Sequence, residues 1–141
     1  MKRLALVVVA IACASFVFGC SQQKRPKVNK TTEGLQKIHF DLDKSNIKSE
    51  FEPALKANAA WMTSNSGSKV TVEGHCDERG STEYNVALGD RRAHSAKSYL
   101  TKLGVADGRL STISYGKERP ACQQHNESCW WQNRRAEFIA R

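Results

Sequence analysis

The fold is decided by one stretch of the chain, residues 72–93, which reads VEGHCDERGSTEYNVALGDRRA. It begins inside a segment, 69–73, in which two valines alternate with polar residues, as in a half-buried strand. From Thr82 to Leu103, apolar side chains recur at helical spacing, and Tyr84 and Leu88 among them are predicted to lie in the core. A strand followed by a long amphipathic helix predicts a layered fold of sheet and helices.

The flanking segments extend this pattern in both directions. Residues 37–42 and 109–115 are predicted to be strands, and so is the final segment, 135–140. Another helix is expected to begin between Ser49 and Pro53. We therefore predict an α/β fold, an α+β sandwich, with a single mixed β-sheet and helices packed on one face. The predicted order is β-α-β-α-β plus a final strand.

Length and charge limit what the chain can be. Its 141 residues have room for one ordinary domain, which excludes a multidomain enzyme, and 40% apolar residues exclude a wholly disordered chain. The formal net charge is +8, but residues 35–141 hold 16 Lys and Arg against 13 Asp and Glu, a net of only +3. This balance does not indicate nucleic-acid binding, which requires basic residues clustered on one face.

The N-terminal segment is typical of an export signal. Two basic residues precede an apolar run, 4–18, that contains a single polar residue. Residues 17–20 read VFGC and resemble a bacterial lipobox, which predicts cleavage before Cys20 and acylation of that cysteine. Residues 1–19 would then be a lipoprotein signal peptide, and several acyl chains, palmitate among them, would make the anchor effectively permanent. An ordinary signal peptide with an incidental cysteine is the alternative.

The segment after this cysteine has a different character. Residues 20–34 show no apolar periodicity and are predicted to be a lipidated, basic, flexible tether. At roughly 3.3–3.6 Å per residue, such a segment reaches about 45–50 Å when extended. Residues 35–141 are predicted to form the working domain.

Several motifs in order make the sequence similar to a known family. Residues 72–93, together with SYGKERP at 114–120 and NRRA at 133–136, resemble the outer-membrane protein A C-terminal-like domain family, which includes the peptidoglycan-associated lipoproteins. The resemblance extends over residues 38–139. It implies a non-catalytic outer-membrane lipoprotein, without a cofactor, whose periplasm-facing domain binds peptidoglycan and links the outer membrane to the cell wall. It further implies membership of the Tol-Pal system, with the periplasmic propeller protein of that system as partner, and a role in cell division and envelope integrity.

The family's ligand is the free amino-acid end of meso-diaminopimelate, a zwitterion that requires a carboxylate and a guanidinium held close together. By resemblance, Asp77 would bind the ammonium and Arg92 the carboxylate, whereas Asp43 and Arg79 match further contact positions. Asn85 matches a motif residue that we assign mainly to shaping the loop. In the alternative interpretation Asp77 and Arg92 form a structural ion pair, and Asp43 and Arg79 are solvated surface charges.

Two rival functions remain at this point. A peptidoglycan hydrolase would need an acid and a base from the acidic side chains of the stretch, Glu73, Asp77, Glu78 and Glu83. The sequence shows no pair of environments that would separate two carboxyl pKa values, and we predict that the three glutamates are solubilising side chains. The other rival is an envelope adaptor of the same fold in a different assembly.

The cysteines of an exported domain lie in an oxidising compartment. Cys122 and Cys129 enclose a short polar loop and are predicted to form a disulfide, which leaves Cys76 unpaired and buried. A zinc site would have to combine these two cysteines and His125 with His75 or Cys76. Their spacing is not a standard structural-zinc pattern, so we predict no metal.

Overall fold

The structure is a computed structural model that describes residues 33–141. The predicted signal peptide, the predicted acylation site Cys20 and nearly all of the predicted tether lie outside these residues. None of the helices between residues 33 and 141 combines the length and the apolar character needed to cross a membrane.

Residues 33–141 contain three α-helices and four strands, besides two short 3-10 helices at Ser49–Phe51 and Asp107–Arg109. In chain order the α-helices and strands are β1 (Ile38–His39), α1 (Glu52–Ser64), β2 (Val70–His75), α2 (Thr82–Lys102), β3 (Leu110–Gly116), α3 (Glu127–Asn133) and β4 (Arg135–Ala140). The strands form one sheet in the order β1-β4-β2-β3. Strand β4 is antiparallel to both of its neighbours, whereas β2 and β3 are parallel and are connected through α2. This architecture confirms the predicted mixed sheet and α+β class.

The hydrophobic core lies between α1, α2 and one face of the sheet. Its largest fully buried apolar side chains come from both layers and include Ile38, Phe40, Leu55, Met62, Val70, Val72 and Leu100. Val70 and Val72 of β2 lie in this core, as predicted, but Glu73 and His75 of the same strand are buried as well.

A contact between two glycines sets the position of α2 on the sheet. A Cβ atom added to Gly74 of β2 would lie 1.8 Å from the carbonyl oxygen of Gly89 of α2. A Cβ atom on Gly89 would in turn lie 2.3 Å from the Ser114 hydroxyl oxygen. The backbones of strand and helix therefore approach as closely as they do only because neither residue has a side chain.

Two local predictions differ from the structure. Strand β1 is shorter than the predicted segment 37–42, because the chain turns away from the sheet after Phe40, and the Lys44 amide bonds to the Asp41 carbonyl at 3.2 Å. Helix α3 was not predicted, and its first residues lie in the polar loop expected between Cys122 and Cys129. Its seven residues are too few to show a periodic pattern, and it is stabilised by the Asn126 side chain, which accepts from the Cys129 amide at 3.1 Å.

Candidate functional site

A cleft of about 330 Å³ opens where β2 ends and α2 begins. Its walls combine charged and apolar side chains from four parts of the chain, namely Leu42, Asp43, Cys76, Asp77, Arg79, Gly80, Tyr84, Asn85, Leu88, Arg92 and Arg134. The structure thus brings all five sequence-predicted site residues into one cleft, together with side chains that the sequence did not indicate.

The loop between β2 and α2 is held by its own hydrogen bonds. The side-chain amide nitrogen of the buried Asn85 donates to the carbonyls of Arg79 at 2.8 Å and Ser81 at 3.0 Å. The Ser81 hydroxyl caps α2 by accepting from the Tyr84 amide at 3.1 Å. Gly80 has φ +92°, a left-handed conformation that glycine adopts without strain. Asn85 therefore fixes the loop that carries the acidic side of the cleft.

Asp77 is the acidic centre of the cleft and is only 4% exposed. Its carboxylate accepts two side-chain hydrogen bonds from Arg79, at 3.1 and 2.6 Å, and one from Arg134 at 3.2 Å. Burial raises the pKa of Asp77, but the hydrogen bonds from Arg79 and Arg134 outweigh it and hold this pKa below its usual range. The carboxylate is therefore negatively charged at neutral pH.

Arg92 forms the basic floor of the cleft and is fully buried. Its guanidinium donates to three backbone carbonyls, those of Lys44 at 2.8 Å, His75 at 2.9 Å and Asp41 at 3.1 Å. Burial lowers the pKa of this guanidinium. The carbonyls fix its orientation but do not neutralise its charge.

Asp77 and Arg92 do not form an ion pair. Among residues 33–141, no carboxylate lies within 4 Å of the Arg92 guanidinium, whereas Asp77 is paired with Arg79 and Arg134. The alternative interpretation, a structural ion pair between Asp77 and Arg92, is therefore wrong. The cleft contains a buried cation without a carboxylate partner in the described part of the chain.

Two further predicted residues lie at the mouth of the cleft. The Arg79 side chain is 35% exposed, and its guanidinium carbon lies 4.1 Å from the centre of the Trp130 ring. Asp43 has φ 57°, a left-handed conformation that aspartate tolerates better than most residues, and it accepts a hydrogen bond from the Tyr84 hydroxyl. The prediction that Tyr84 is a core residue was wrong, since it is 45% exposed and its hydroxyl reaches this polar partner.

Arg134 is the functional candidate that the sequence did not reveal. Its side chain is 4% exposed and donates to the Phe40 carbonyl at 2.9 Å, to Asp77 and to Glu127. The run NRRA at 133–136 contains it, but the sequence does not indicate which arginine of that run reaches the cleft.

Comparisons with known proteins agree with this architecture. A sequence model described as the OmpA family matches residues 39–134. The chain belongs to the OmpA family.

Two relatives with the same name are similar to nearly the whole chain. The OmpA-family chain is 38% identical to the peptidoglycan-associated lipoprotein of Pasteurella multocida, over 96% of this chain and 97% of the relative. It is 40% identical to the protein of the same name from Mesorhizobium japonicum, over 92% and 88% of the two chains.

Solved structures give the same result. The crystal structure of the peptidoglycan-associated lipoprotein from Burkholderia pseudomallei superposes with a TM-score of 0.72 at 35% identity, covering 74% of this chain and 89% of that one. The C-terminal domain of Helicobacter pylori MotB superposes with a TM-score of 0.71 at 20% identity, covering 77% and 85%. At that identity the second likeness shows only that the OmpA-family fold is shared.

Two of the glutamates predicted to be solubilising have specific surroundings in this OmpA-family domain. Glu73 is 9% exposed and lies opposite Glu137 in the sheet, while Glu78 accepts hydrogen bonds from Trp130 and His125, both at 2.7 Å. Burial, followed by the charge of Glu137, raises the pKa of Glu73. Different carboxyl environments therefore do exist, contrary to the sequence-based expectation.

The three cysteines within residues 33–141 are in the states that the sequence predicted. Cys122 and Cys129 form a disulfide with a Cα–Cα distance of 5.2 Å, and Cys76 is a buried free thiol that donates to the Asn85 carbonyl. Because disulfide sulfurs are not thiolate ligands, the zinc arrangement built on these two cysteines does not form.

Proposed function

We propose that this OmpA-family protein is an outer-membrane lipoprotein whose domain binds the free amino-acid end of meso-diaminopimelate in peptidoglycan without covalent chemistry. The observation that carries the proposal is the buried Arg92 guanidinium, which has no carboxylate partner within residues 33–141 and shares a cleft with the ionised Asp77. A ligand with a carboxylate and an ammonium on one carbon matches these two charges.

The carboxylate of the ligand would bind Arg92. Burying a cation without a counter-charge is costly, so a carboxylate that enters the cleft would supply the missing charge. The carbonyls of Asp41, Lys44 and His75 already hold the guanidinium in one orientation, which reduces the entropy lost on binding. Charge-assisted hydrogen bonds of this kind contribute about 1.5–3 kcal/mol each.

The ammonium of the ligand would bind Asp77. Of the two arginines on this carboxylate, Arg134 is buried and Arg79 is partly exposed, so Arg79 is the one that a ligand would displace. A displaced Arg79 side chain would remain near the ligand carboxylate, in keeping with its predicted contact role. Asp43 would contribute from the mouth of the cleft, where Tyr84 holds it.

The membrane end of the protein is proposed from the sequence. Residues 1–19 would be removed as a signal peptide, Cys20 would carry the acyl chains, and residues 20–34 would span the distance to the domain. Ser21 is not the acidic residue that retains enterobacterial lipoproteins at the inner membrane, which favours sorting to the outer membrane. The relatives that match this chain over most of their length are named peptidoglycan-associated lipoprotein, and this name supports the arrangement.

The partners are proposed by the same reasoning. By its resemblance to the peptidoglycan-associated lipoproteins, the protein would work in the Tol-Pal system with the periplasmic propeller component, in division and envelope integrity. A pull-down from membranes that recovers a different assembly would instead favour the adaptor alternative.

A binding role explains the carboxylates better than hydrolysis does. Asp77 is held ionised by two arginines, and Glu73, whose pKa is raised, belongs to the sheet face away from α1 and α2. These two groups cannot flank one glycosidic bond, as an acid–base pair must. Clearing of a peptidoglycan gel by the purified protein would contradict the proposal.

Co-sedimentation with purified peptidoglycan tests the proposed site. We expect the wild-type protein to pellet with peptidoglycan, and Asp77→Ala and Arg92→Ala to remain in the supernatant. Arg91→Ala is the matched control, since Arg91 is the exposed neighbour of Arg92 on α2. Arg92→Lys keeps the charge but loses the two-pronged geometry, and we expect it to bind weakly. Retained binding by folded Asp77→Ala and Arg92→Ala would refute the assignment.

A further inference from the structure

Three potential metal ligands meet on the sheet face that points away from α1 and α2. Glu73 and His75 belong to β2, and Glu137 lies directly opposite Glu73 on β4. Each offers one ligand atom, and these atoms all lie within 4.8 Å of one another. This cluster, Glu73–His75–Glu137, is separate from the cleft that contains Asp77 and Arg92.

The imidazole of His75 has unsatisfied polar atoms. The residue is 1% exposed, and neither of its ring nitrogens has a hydrogen-bond partner in the part of the chain that the structure describes. Its Nε2 atom lies 3.6 Å from a Glu73 carboxylate oxygen, which is beyond ordinary hydrogen-bond distance. One face of the ring stacks against Tyr115 with the ring centres 5.5 Å apart. A buried polar group in this state is costly unless something binds it.

The two carboxylates are also arranged for a shared cation. Glu73 and Glu137 lie opposite each other on β2 and β4, so their negative charges repel, and a cation between them would relieve that repulsion. Arg135 donates to Glu137 Oε1 at 2.6 Å, which orients that carboxylate and leaves its second oxygen for a ligand bond. Arg135 is itself held by the Arg119 carbonyl at 3.2 Å, and the Arg119 guanidinium lies over the Tyr115 ring.

We propose that Glu73, His75 and Glu137 bind a divalent transition-metal ion of the zinc class. One imidazole and two carboxylates suit Zn²⁺ or Co²⁺, whereas Ca²⁺ and Mg²⁺ prefer ligand sets made of oxygen alone. The two carboxylates supply negative charge to the ion, although Glu137 shares its charge with Arg135, and water would complete the coordination. The proposal departs from the sequence-based expectation that the chain binds no metal. That expectation weighed only a zinc site built on Cys122, His125 and Cys129 with His75 or Cys76.

Metal titration of the full chain tests the proposal. The protein is purified in detergent without a polyhistidine tag, stripped with a chelator, and titrated with Zn²⁺ by calorimetry and with Co²⁺ by visible absorption. We expect saturation near one equivalent, and an affinity loss of at least about tenfold in His75→Gln and in Glu137→Gln. His125→Gln is the matched control, because His125 is exposed and pairs with Glu78 away from the cluster. It should bind as the wild type does.

A second measurement, the melting temperature, distinguishes the loss of a metal ligand from misfolding of the variant. Zn²⁺ should raise the melting temperature of the wild type and of His125→Gln but not that of Glu137→Gln, since only ligands that bind the folded state stabilise it. Equal affinity in wild type, His75→Gln and Glu137→Gln, or no saturable binding by the wild type, would overturn the proposal. Peptidoglycan binding is measured on the same samples and is independent of this result, because the cleft shares none of the three side chains.

Discussion

The Arg134 guanidinium donates to the Asp77 carboxylate at 3.2 Å, and both side chains are only 4% exposed. Arg134 directly precedes the last strand, so this bond ties the acidic centre of the cleft to a residue 57 positions later in the chain. The same guanidinium also donates to the Phe40 carbonyl and to Glu127. The cleft is therefore stabilised by contacts between distant parts of the chain as well as by the hydrogen bonds of the loop between β2 and α2.

Removing Arg134 should destabilise the whole domain. We expect Arg134→Ala to lower the free energy of unfolding by about 3 kcal/mol, because Asp77 would lose a buried partner and the Phe40 carbonyl its donor. Urea unfolding followed by circular dichroism measures this change. The exposed Arg91→Ala should stay within about 0.5 kcal/mol of the wild type. Equal unfolding midpoints for the two variants would contradict the structural role of Arg134.

Acid should weaken the domain partly through Asp77. Its folded pKa lies below the ordinary value of 3.8, so its contribution to stability is complete well above that pH. The contribution is lost as the pH falls through 3.8 towards the folded pKa. We therefore expect the stability difference between wild type and Asp77→Asn to be largest above about pH 5 and to shrink towards pH 3. A difference that stays constant from pH 7 to pH 3 would show that the pKa is not lowered.

The contact between Gly74 and Gly89 should not tolerate a methyl group. We expect Gly74→Ala to cost about 2–3 kcal/mol or more, because its Cβ atom would meet the backbone of α2 at 1.8 Å. Gly67→Ala is a suitable control, since an added Cβ atom there meets nothing within 4 Å. Urea unfolding of both variants measures the difference. A Gly74→Ala protein as stable as Gly67→Ala would mean that strand and helix lie further apart.

Reducing the disulfide should loosen the segment beside the cleft. Cys122 and Cys129 close a short loop, so their bond contributes at most about 2–3 kcal/mol. The double variant Cys122→Ser/Cys129→Ser should unfold at lower urea concentration, and amide exchange should increase first around α3, where Trp130 covers Arg79. Unchanged exchange in α3 would contradict this role for the disulfide.

The regular elements were predictable from the sequence because their signals are local. Strand β4 and helix α2 have the expected periodicity, and Asp77 and Arg92 could be placed near each other from a strand, a loop and a helix. Arg134 could not, since its bond to Asp77 depends on β4 lying beside β1 and β2. Sheet pairing of this kind is not encoded in the local pattern. For the same reason, the opposition of Glu73 and Glu137 became visible only in the structure.

The pairing of Asp77 with arginines was also beyond the sequence. The sequence predicted that Asp77 and Arg92 bind a ligand, with an ion pair between them as the alternative, and it did not indicate that Arg79 of the same loop donates to the carboxylate. Arg92 is instead buried under three backbone carbonyls, whose positions depend on the turn after β1. The motifs indicated residues that line one cleft, but not which group each of their charges contacts.

The central claim is that the cleft recognises a zwitterion through Asp77 and Arg92. Calorimetric titration of the wild-type protein with a stem peptide that ends in free meso-diaminopimelate, and with the same peptide amidated at that carboxylate, tests it most directly. We predict that amidation weakens binding by at least about tenfold, because Arg92 loses its charged partner and a charge-assisted hydrogen bond contributes about 1.5–3 kcal/mol. Equal affinity for the two peptides would contradict the account.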